Sequence, residues 1–423
     1  MFIEFKVSNF LSIKDEVILS LDSTASRNLE NNYFKELDLR LLRSAAIYGP
    51  NASGKSNIIK AIHFADELVR NSQQYKVDTK FLTVPFLLDR SSKNEPCRFE
   101  FSFIKNHTKY IYGFSCNENG FIDEYLHYKP EGENKKTFFI REERPQKKGE
   151  RFKFYVDPKE QKKWGQETIR QRLYLPKAVN DHNYERLVEV YDYLVNDLII
   201  VLQVFNPLWG AVTRERMMND PKFREWVLNI MKKADFGGIE DIRVKKEKRN
   251  VTGIQFKFEE GSFLSGTMPS REEEFYDLNY VHRNEEQQEI IFKENLESTG
   301  TNKTFNMLGP IYDILESGKT LFIDEFELNL HPNITEFIIR LFHSKHNRKN
   351  GQLIITTHDT TLLKKNDIFR RDQVYICTKE PNLSTKLSSL AEFDLRESIN
   401  FENAYLNGRV GGLPFIDESF FEE

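Results

Sequence analysis

Apolar and polar residues alternate through MFIEFKVSNF at the start of the chain, the period of a strand with one buried and one wet face. VILSL at 17–21 repeats the pattern and predicts a second strand. SAAIYG (44–49) is short and reads as a fully buried strand. It runs straight into a glycine-rich segment. SNIIKAIHFADELV then follows, with Ile58, Ile59, Ile62, Ala65 and Leu68 at helical spacing. Strand, glycine loop and helix are therefore expected without a break.

From Arg98 to about Tyr128 the strand period returns in FEFSFI, KYIYGFSC and FIDEYLHY, with turns at KNHT and NENG, which predicts an antiparallel sheet. Residues 131–170 are rich in Lys, Glu and Gln, so a solvated excursion with one short strand at RFKFYV is expected. Between about 183 and 235 the period is helical, clearest in YERLVEVYDYLVNDLIIVLQVF and PKFREWVLNIMKKADF. IEDIRVKK and GIQFKFEE read as strands. Beyond them come a helix over about 299–317, the strand TLFIDE, a helix over about 332–345, and the strands QLIITTH and QVYICTK. Such alternation favours a largely parallel α/β core. The expected organisation is two halves of one head, 1–134 and 271–423, around a mainly helical insertion, 135–270, suited to docking a partner.

Composition narrows this only in places. A chain of 423 residues has room for two or three domains. Its mean hydropathy of -0.58 reflects a charged surface rather than disorder, because 35 Phe and 17 Tyr supply interiors. A net charge of -4 neither demands nor excludes nucleic acid. Cys97, Cys116 and Cys377 are too few and too scattered for a disulfide framework or a four-cysteine zinc site. Neither a signal-like start nor a membrane-spanning apolar run is present, so a cytoplasmic protein with no membrane partner is expected.

The candidate chemistry lies in three places. Gly49, Pro50, Asn51, Ala52, Ser53, Gly54, Lys55 and Ser56 form a phosphate-binding loop, with Asn57 beginning the helix behind it. Gly49 and Gly54 permit the turn that offers backbone N–H groups to a phosphate. Lys55 brings positive charge to the β and γ oxygens, and the Ser56 hydroxyl suits Mg²⁺. Far downstream, Asp324 and Glu325 end an apolar strand, where open α/β sheets place ligands. Asp324 is expected in the Mg²⁺ shell. Glu325 either polarises the attacking water or caps the following turn. His358, after LIITT, is either a γ-phosphate sensor or a structural histidine, with Asp359 orienting its loop. The reaction implied is Mg²⁺-dependent hydrolysis of ATP.

These segments resemble ABC-type ATPase heads of the SMC and RecF kind. More closely, they are similar to the compact AAA family ATPases that accompany toxins and nucleases in bacterial anti-phage and abortive-infection modules. The resemblance is carried by MFIEFKVSNFLSIKDEVILSL, IYGPNASGKSNIIKAI, NMLGPIYDILESGKTLFIDEFELNLHP, LIITTHDTTLL and YLNGRVGGLPF, over about residues 1–130 and 275–423. It implies an α/β fold, an ABC-type P-loop ATPase head with an antiparallel edge sheet. Lys55 and Ser56 then take the Walker A role, Asp324 Walker B, Glu325 the catalytic role and His358 the switch role, with Asn329 in the D-loop. Such heads pair, so a homodimer or higher homo-oligomer is implied, with a signature motif donated across it. Ser298 and Gly300 match an abbreviated signature; the alternative is a plain helix N-cap.

The resemblance further implies a separate effector, a nuclease or other toxin, and a phage-derived trigger. Direct nucleic-acid binding stays open, since RVKKEKR (243–249) suits either a phosphate backbone or a lysine-guarded strand edge. The leading expectation is an ATP-hydrolysing defence scaffold that controls its effector. The alternatives are a DNA repair or recombination clamp, for which no coiled-coil arm is visible, and a module that uses ATP only to assemble.

Overall fold

The computed structural model describes the chain apart from residues 143–150, 203–206, 235–237, 252–253, 260–261, 268–270, 329, 366, 397–398 and 414–423. It divides into two compact units, one of residues 1–204, 314–328 and 335–423, the other of residues 205–313 and 329–334.

A six-stranded sheet organises the first unit. In spatial order its strands are Leu198–Val201, Thr320–Ile323, Gln352–Thr356, Ser44–Tyr48, Val374–Lys379 and Thr385–Ser389. All neighbours pair parallel except the last, an antiparallel hairpin. The three central strands are buried along their whole length, as a parallel sheet covered on both faces requires. The loop strand (Ser44–Tyr48), the acidic strand (Thr320–Ile323) and the histidine strand (Gln352–Thr356) therefore end side by side. Sequence-distant chemistry is gathered at the carboxyl end of the sheet.

One strand of that sheet departs from the sequence expectation. Helical spacing suggested a single helix across 184–205. The chain instead forms a helix over Glu185–Asp192, a π-turn over Tyr193–Asp197 and then the strand Leu198–Val201. The run Leu-Ile-Ile-Val is short and three of its four residues are β-branched, and pairing with the acidic strand decides its conformation. The pairing continues beyond the strand, because Asp324 N donates to Val201 O at 3.0 Å.

A second, antiparallel sheet of seven strands runs Phe152–Phe154, Lys136–Glu142, Gly120–Pro130, Thr108–Asn117, Cys97–Lys105, Phe2–Ser8 and Val17–Ser20. The strands expected in the first ten residues, at 17–21 and from Arg98 to about Tyr128 are all present. The expected excursion at 131–170 is more regular than its composition suggested. Lys136–Glu142 extends the sheet, burying Phe138, Phe139 and Arg141, and Pro158–Glu167 is helical. Residues 135–204, grouped with the insertion on sequence grounds, form part of the first unit.

The helix Lys55–Asn71 buries Ile58, Ile59, Ile62, Ala65, Leu68 and Val69 in a core shared by both sheets. Each of the Ile, Leu and Val side chains contributes about 1.5–3 kcal/mol. Phe2 meets Phe322 edge-on at 5.3 Å, and the buried Gln352 amide joins the sheets by bonding Phe2 N (2.7 Å), Phe2 O (3.0 Å) and Leu42 O (3.1 Å).

The second unit holds helices Pro207–Asn219 and Pro221–Lys233, the latter capped by Asp220 Oδ1, which accepts from Lys222 N and Phe223 N. It adds a three-stranded antiparallel sheet (Asp241–Val251, Arg271–Arg283, Glu289–Lys293) and a hairpin (Ile254–Glu259, Ser262–Thr267). The helix Thr299–Ser317 begins in this unit.

Candidate nucleotide site

The loop strand ends at Tyr48, and the helix begins at Lys55. Between them, Gly49 (φ +151°), Ala52 (φ 62°) and Gly54 (φ +109°) take conformations that turn successive peptide groups one way. The two glycines are needed on steric grounds as well. A Cβ at Gly49 would collide with Cys377 O, and one at Gly54 with Thr385 Oγ1. The helix starts immediately, so its first N–H groups and dipole face the loop. Lys55 is 6 % exposed and curls back over the turn, Nζ donating to Gly49 O (2.7 Å) and Pro50 O (3.1 Å). Burial lowers its pKa, and the carboxylates of Asp324, Glu325 and Glu327 work against that shift.

The loop rests on a polar network that sequence reasoning missed. Thr385 Oγ1 donates to Ser53 O (2.8 Å) and lies 2.7 Å from Ser12 Oγ, which accepts from Asn57 Nδ2 (2.6 Å). Cys377 Sγ also reaches Ser53 O, at 3.4 Å. The Asn57 side chain is thus engaged beneath the loop with Ser12. Nothing in the local pattern of Ser12, Cys377 or Thr385 signals this; sheet topology alone brings them there.

At the carboxyl end of the sheet, the expected pair meets. Ser56 Oγ donates to Asp324 Oδ1 at 3.1 Å, and Asp324 is 6 % exposed. Thr356 Oγ1 donates to the same carboxylate oxygen at 2.5 Å and accepts from Glu325 N at 2.8 Å. Thr356, buried at the end of the histidine strand, is a second residue that the sequence did not single out. Glu325 is exposed and holds φ 51°, a left-handed conformation costly for a residue with a Cβ. Phe326 behind it is fully buried, which pins the turn.

His358 follows the histidine strand and is exposed, with its backbone N donating to Glu327 Oε1 at 2.6 Å. Burial of part of the ring lowers its pKa, the Lys55 ammonium adds to that, and the three carboxylates oppose it. The shift favours the neutral imidazole, which can both donate and accept. Asp359 accepts from Thr361 N (3.0 Å) and Thr361 Oγ1 (2.5 Å), an Asx-type turn that orders the loop.

Ser298 and Gly300 belong to the second unit. Ser298 Oγ accepts from Thr301 N at 3.0 Å and lies 2.7 Å from Thr301 Oγ1, so it caps the helix while its residue stays exposed. Asn329 lies outside the described residues. Gln73, just beyond the helix Lys55–Asn71, is half-buried, and its amide donates to Leu173 O at 3.0 Å.

Three buried polar atoms around the loop have no protein partner: Ser53 Oγ, Glu327 Oε2 and Asp359 Oδ2. Buried polar atoms are nearly always paired in folded proteins. Together with the glycine cradle, the Lys55 ammonium and the Ser56–Asp324 contact, they fit a magnesium nucleotide by the chemistry of the donor set. The fold and this loop define a P-loop ATPase head in an α/β frame with antiparallel edge sheets. Residues 44–364 match the family described as "AAA domain, putative AbiEii toxin, Type IV TA system", and the chain belongs to that family. It therefore carries an AAA-type ATPase domain.

Among solved structures, the SMC head domain from Thermotoga maritima aligns over 92% of this chain and 98% of that one, at 13% identity and a TM-score of 0.38. The recombination mediator protein RecF of the RecFOR pathway, in its ATP form, aligns over 92% and 97% at 16% identity and a TM-score of 0.32. No curated protein matches the chain. Among the described residues, no helix is long and apolar enough to cross a membrane.

Proposed function

We propose that this protein is a Mg²⁺-dependent ATPase that works as the sensor and scaffold of an anti-phage defence module, controlling a separate toxic effector, a nuclease. The observation that carries the ATPase part is the Ser56–Asp324 contact. It unites the serine after the loop lysine with the first carboxylate of a strand far away in sequence.

In this reading the loop peptides from Gly49 to Gly54 and the Lys55 ammonium hold the phosphates, and Ser56 and Asp324 hold the metal. Magnesium, when bound, supplies charge stabilisation at the phosphate oxygens. Glu325 orients the attacking water and receives its proton, helped by the strained turn that aims it away from the core. His358 donates a hydrogen bond toward the terminal phosphate. Burial favours its neutral form, so that role does not require a charged ring.

The effector part is supported by the family's description, which associates it with a toxin–antitoxin system. Ser298 and Gly300, at a helix N-terminus, would face the nucleotide of a second copy, and Asn329 would serve as the D-loop residue, so that ATP also drives pairing. The second unit would serve as the docking platform, and the complex would work in the cytoplasm.

The test is ATP turnover of the purified chain, then capture from native cells with Glu325→Gln and ATP, read by mass spectrometry and native mass. Mg²⁺-dependent turnover, an ATP-dependent dimer or larger assembly and a stoichiometric partner protein are expected. DNA recovered without a partner protein would replace the effector scaffold with a DNA clamp. Absence of turnover would end the enzymatic reading.

A further inference from the structure

The turn after the acidic strand is joined to the histidine strand residue by residue. Asp324 Oδ1 accepts from Thr356 Oγ1, Glu325 N donates to the same hydroxyl, and Phe326 N donates to Thr356 O at 3.1 Å. The last link differs in kind. Glu327 reaches across with its side chain, Oε1 accepting the backbone N–H of His358 at 2.6 Å. Its second oxygen, Oε2, is buried without a partner, although a buried carboxylate oxygen normally finds one. Packing alone does not account for a charged group in this place. Hydrogen bonding to an N–H requires only an oxygen acceptor, and a residue that also leaves one oxygen unpaired is not chosen for stability.

We propose that Glu327 is a positioning residue of the ATPase: its carboxylate holds the His358 loop in register with the Asp324–Glu325 turn. His358 and Glu325 then reach the reacting phosphate as one assembly. The proposal rests on the ATPase reading above, and it adds a role to a residue outside the expected motif positions. Because the link is made to a backbone N–H, the side chain of His358 stays free for its own contact.

Two variants separate this from a merely structural role. Glu327→Gln retains an oxygen acceptor for His358 N–H, whereas Glu327→Ala removes it. The alanine variant is expected to lose about 10- to 100-fold in kcat, with KM for ATP changed less than about threefold, as for a misplaced reacting group. The glutamine variant, which keeps the acceptor for His358 N–H but not the second oxygen, recovers part of that loss, with kcat between those of the alanine variant and the parent. Hydrogen–deuterium exchange of the segment 356–360 in the full chain supplies a readout independent of turnover. Faster exchange is expected in the alanine variant and parental protection in the glutamine variant. If the alanine variant does not fold, Glu327→Asp takes its place, since its carboxylate falls one methylene short of the His358 amide. Unchanged exchange in the alanine or aspartate variant overturns the proposal, as does a glutamine variant as impaired as alanine. Should the parent chain lack ATPase activity, the functional reading fails and the exchange result alone decides this one.

Discussion

Two regions of the first unit bury charged and polar groups in opposite ways. In the seven-stranded sheet, Glu124 is fully buried and every part of it is engaged. Its carboxylate accepts from Tyr112 Oη (3.0 Å), Tyr174 N (2.7 Å) and Leu175 N (3.0 Å), with Arg141 Nη1 3.7 Å away. Arg141 in turn donates to the carbonyls of Arg172 (2.7 Å), Arg170 (3.2 Å) and Ile169 (3.4 Å). Burial pushes the Glu124 pKa up and the Arg141 pKa down, and each charge offsets the shift in the other. Around the phosphate loop, by contrast, Ser53 Oγ, Glu327 Oε2 and Asp359 Oδ2 are buried without partners. A closed polar network fixes a fold. An open one beside a glycine cradle leaves bonding capacity for something that arrives later.

That contrast is easiest to break from the closed side. Arg141→Ala leaves Glu124 as an uncompensated buried charge and should cost about 3–5 kcal/mol of stability. Urea unfolding would measure it, and nucleotide affinity of the folded protein should not change. A cost near zero would mean that the network is not what anchors residues 169–175 to the sheet.

On the open side the largest effect belongs to Glu325. Glu325→Gln should lower kcat by about 10²–10³-fold, the range typical for removing a group that acts in the transition state. ATP binding should survive, because the loop and Lys55 are untouched. A steady-state assay beside a binding titration checks both halves of that statement.

A pH experiment sharpens the contrast, since a second closed cluster lies at the start of the loop strand. His343 is buried, with Nε2 2.8 Å from Ser44 Oγ and 3.4 Å from the Gln373 amide. Burial, aided by Arg43 and Arg340, lowers its pKa from 6.5 to about 3. The folded form therefore keeps this ring neutral while the unfolded chain protonates it below pH 6.5. Its contribution to stability is whole above that pH and declines as pH falls toward 3, by about 2 kcal/mol between pH 6.5 and 5. His343→Gln should flatten that part of the profile in denaturant titrations across this range.

The smallest effect is expected at Ser53. Ser53→Ala removes a hydroxyl that has no partner in the protein, so thermal unfolding of the free chain should move little. Nucleotide affinity should weaken by about tenfold, the scale of one hydrogen bond. The reverse pattern, lost stability with unchanged affinity, would identify Ser53 as structural.

The parts of the site that were legible in sequence share a local cause. Strand, glycine loop and helix from Ser44 to Asn71 are contiguous, and the Asp324-Glu325 pair is marked by the apolar run before it. The parts that were not legible depend on neighbours across the sheet. Thr356 matters because the histidine strand lies beside the acidic one, and Ser12 and Thr385 matter because the segments that carry them meet beneath the loop. Leu198–Val201 is an instructive case: a short apolar run next to a good helix carries no period of its own, and parallel pairing settles it. The strand at Lys136–Glu142 was hidden by the charged residues around Phe138 and Phe139. Glu327 could have been noticed as a third acid in DEFE, but its partner is a backbone amide, which no side-chain pattern reveals.

The most direct test of the central claim is nucleotide affinity with and without Mg²⁺, measured for the parent chain and for Asp324→Asn. If the open polar cluster exists for a magnesium nucleotide, Mg²⁺ will tighten ATP binding by the parent chain and will have little effect on the variant, while binding of metal-free ATP stays similar in both. An undiminished response to Mg²⁺ in Asp324→Asn would contradict the account.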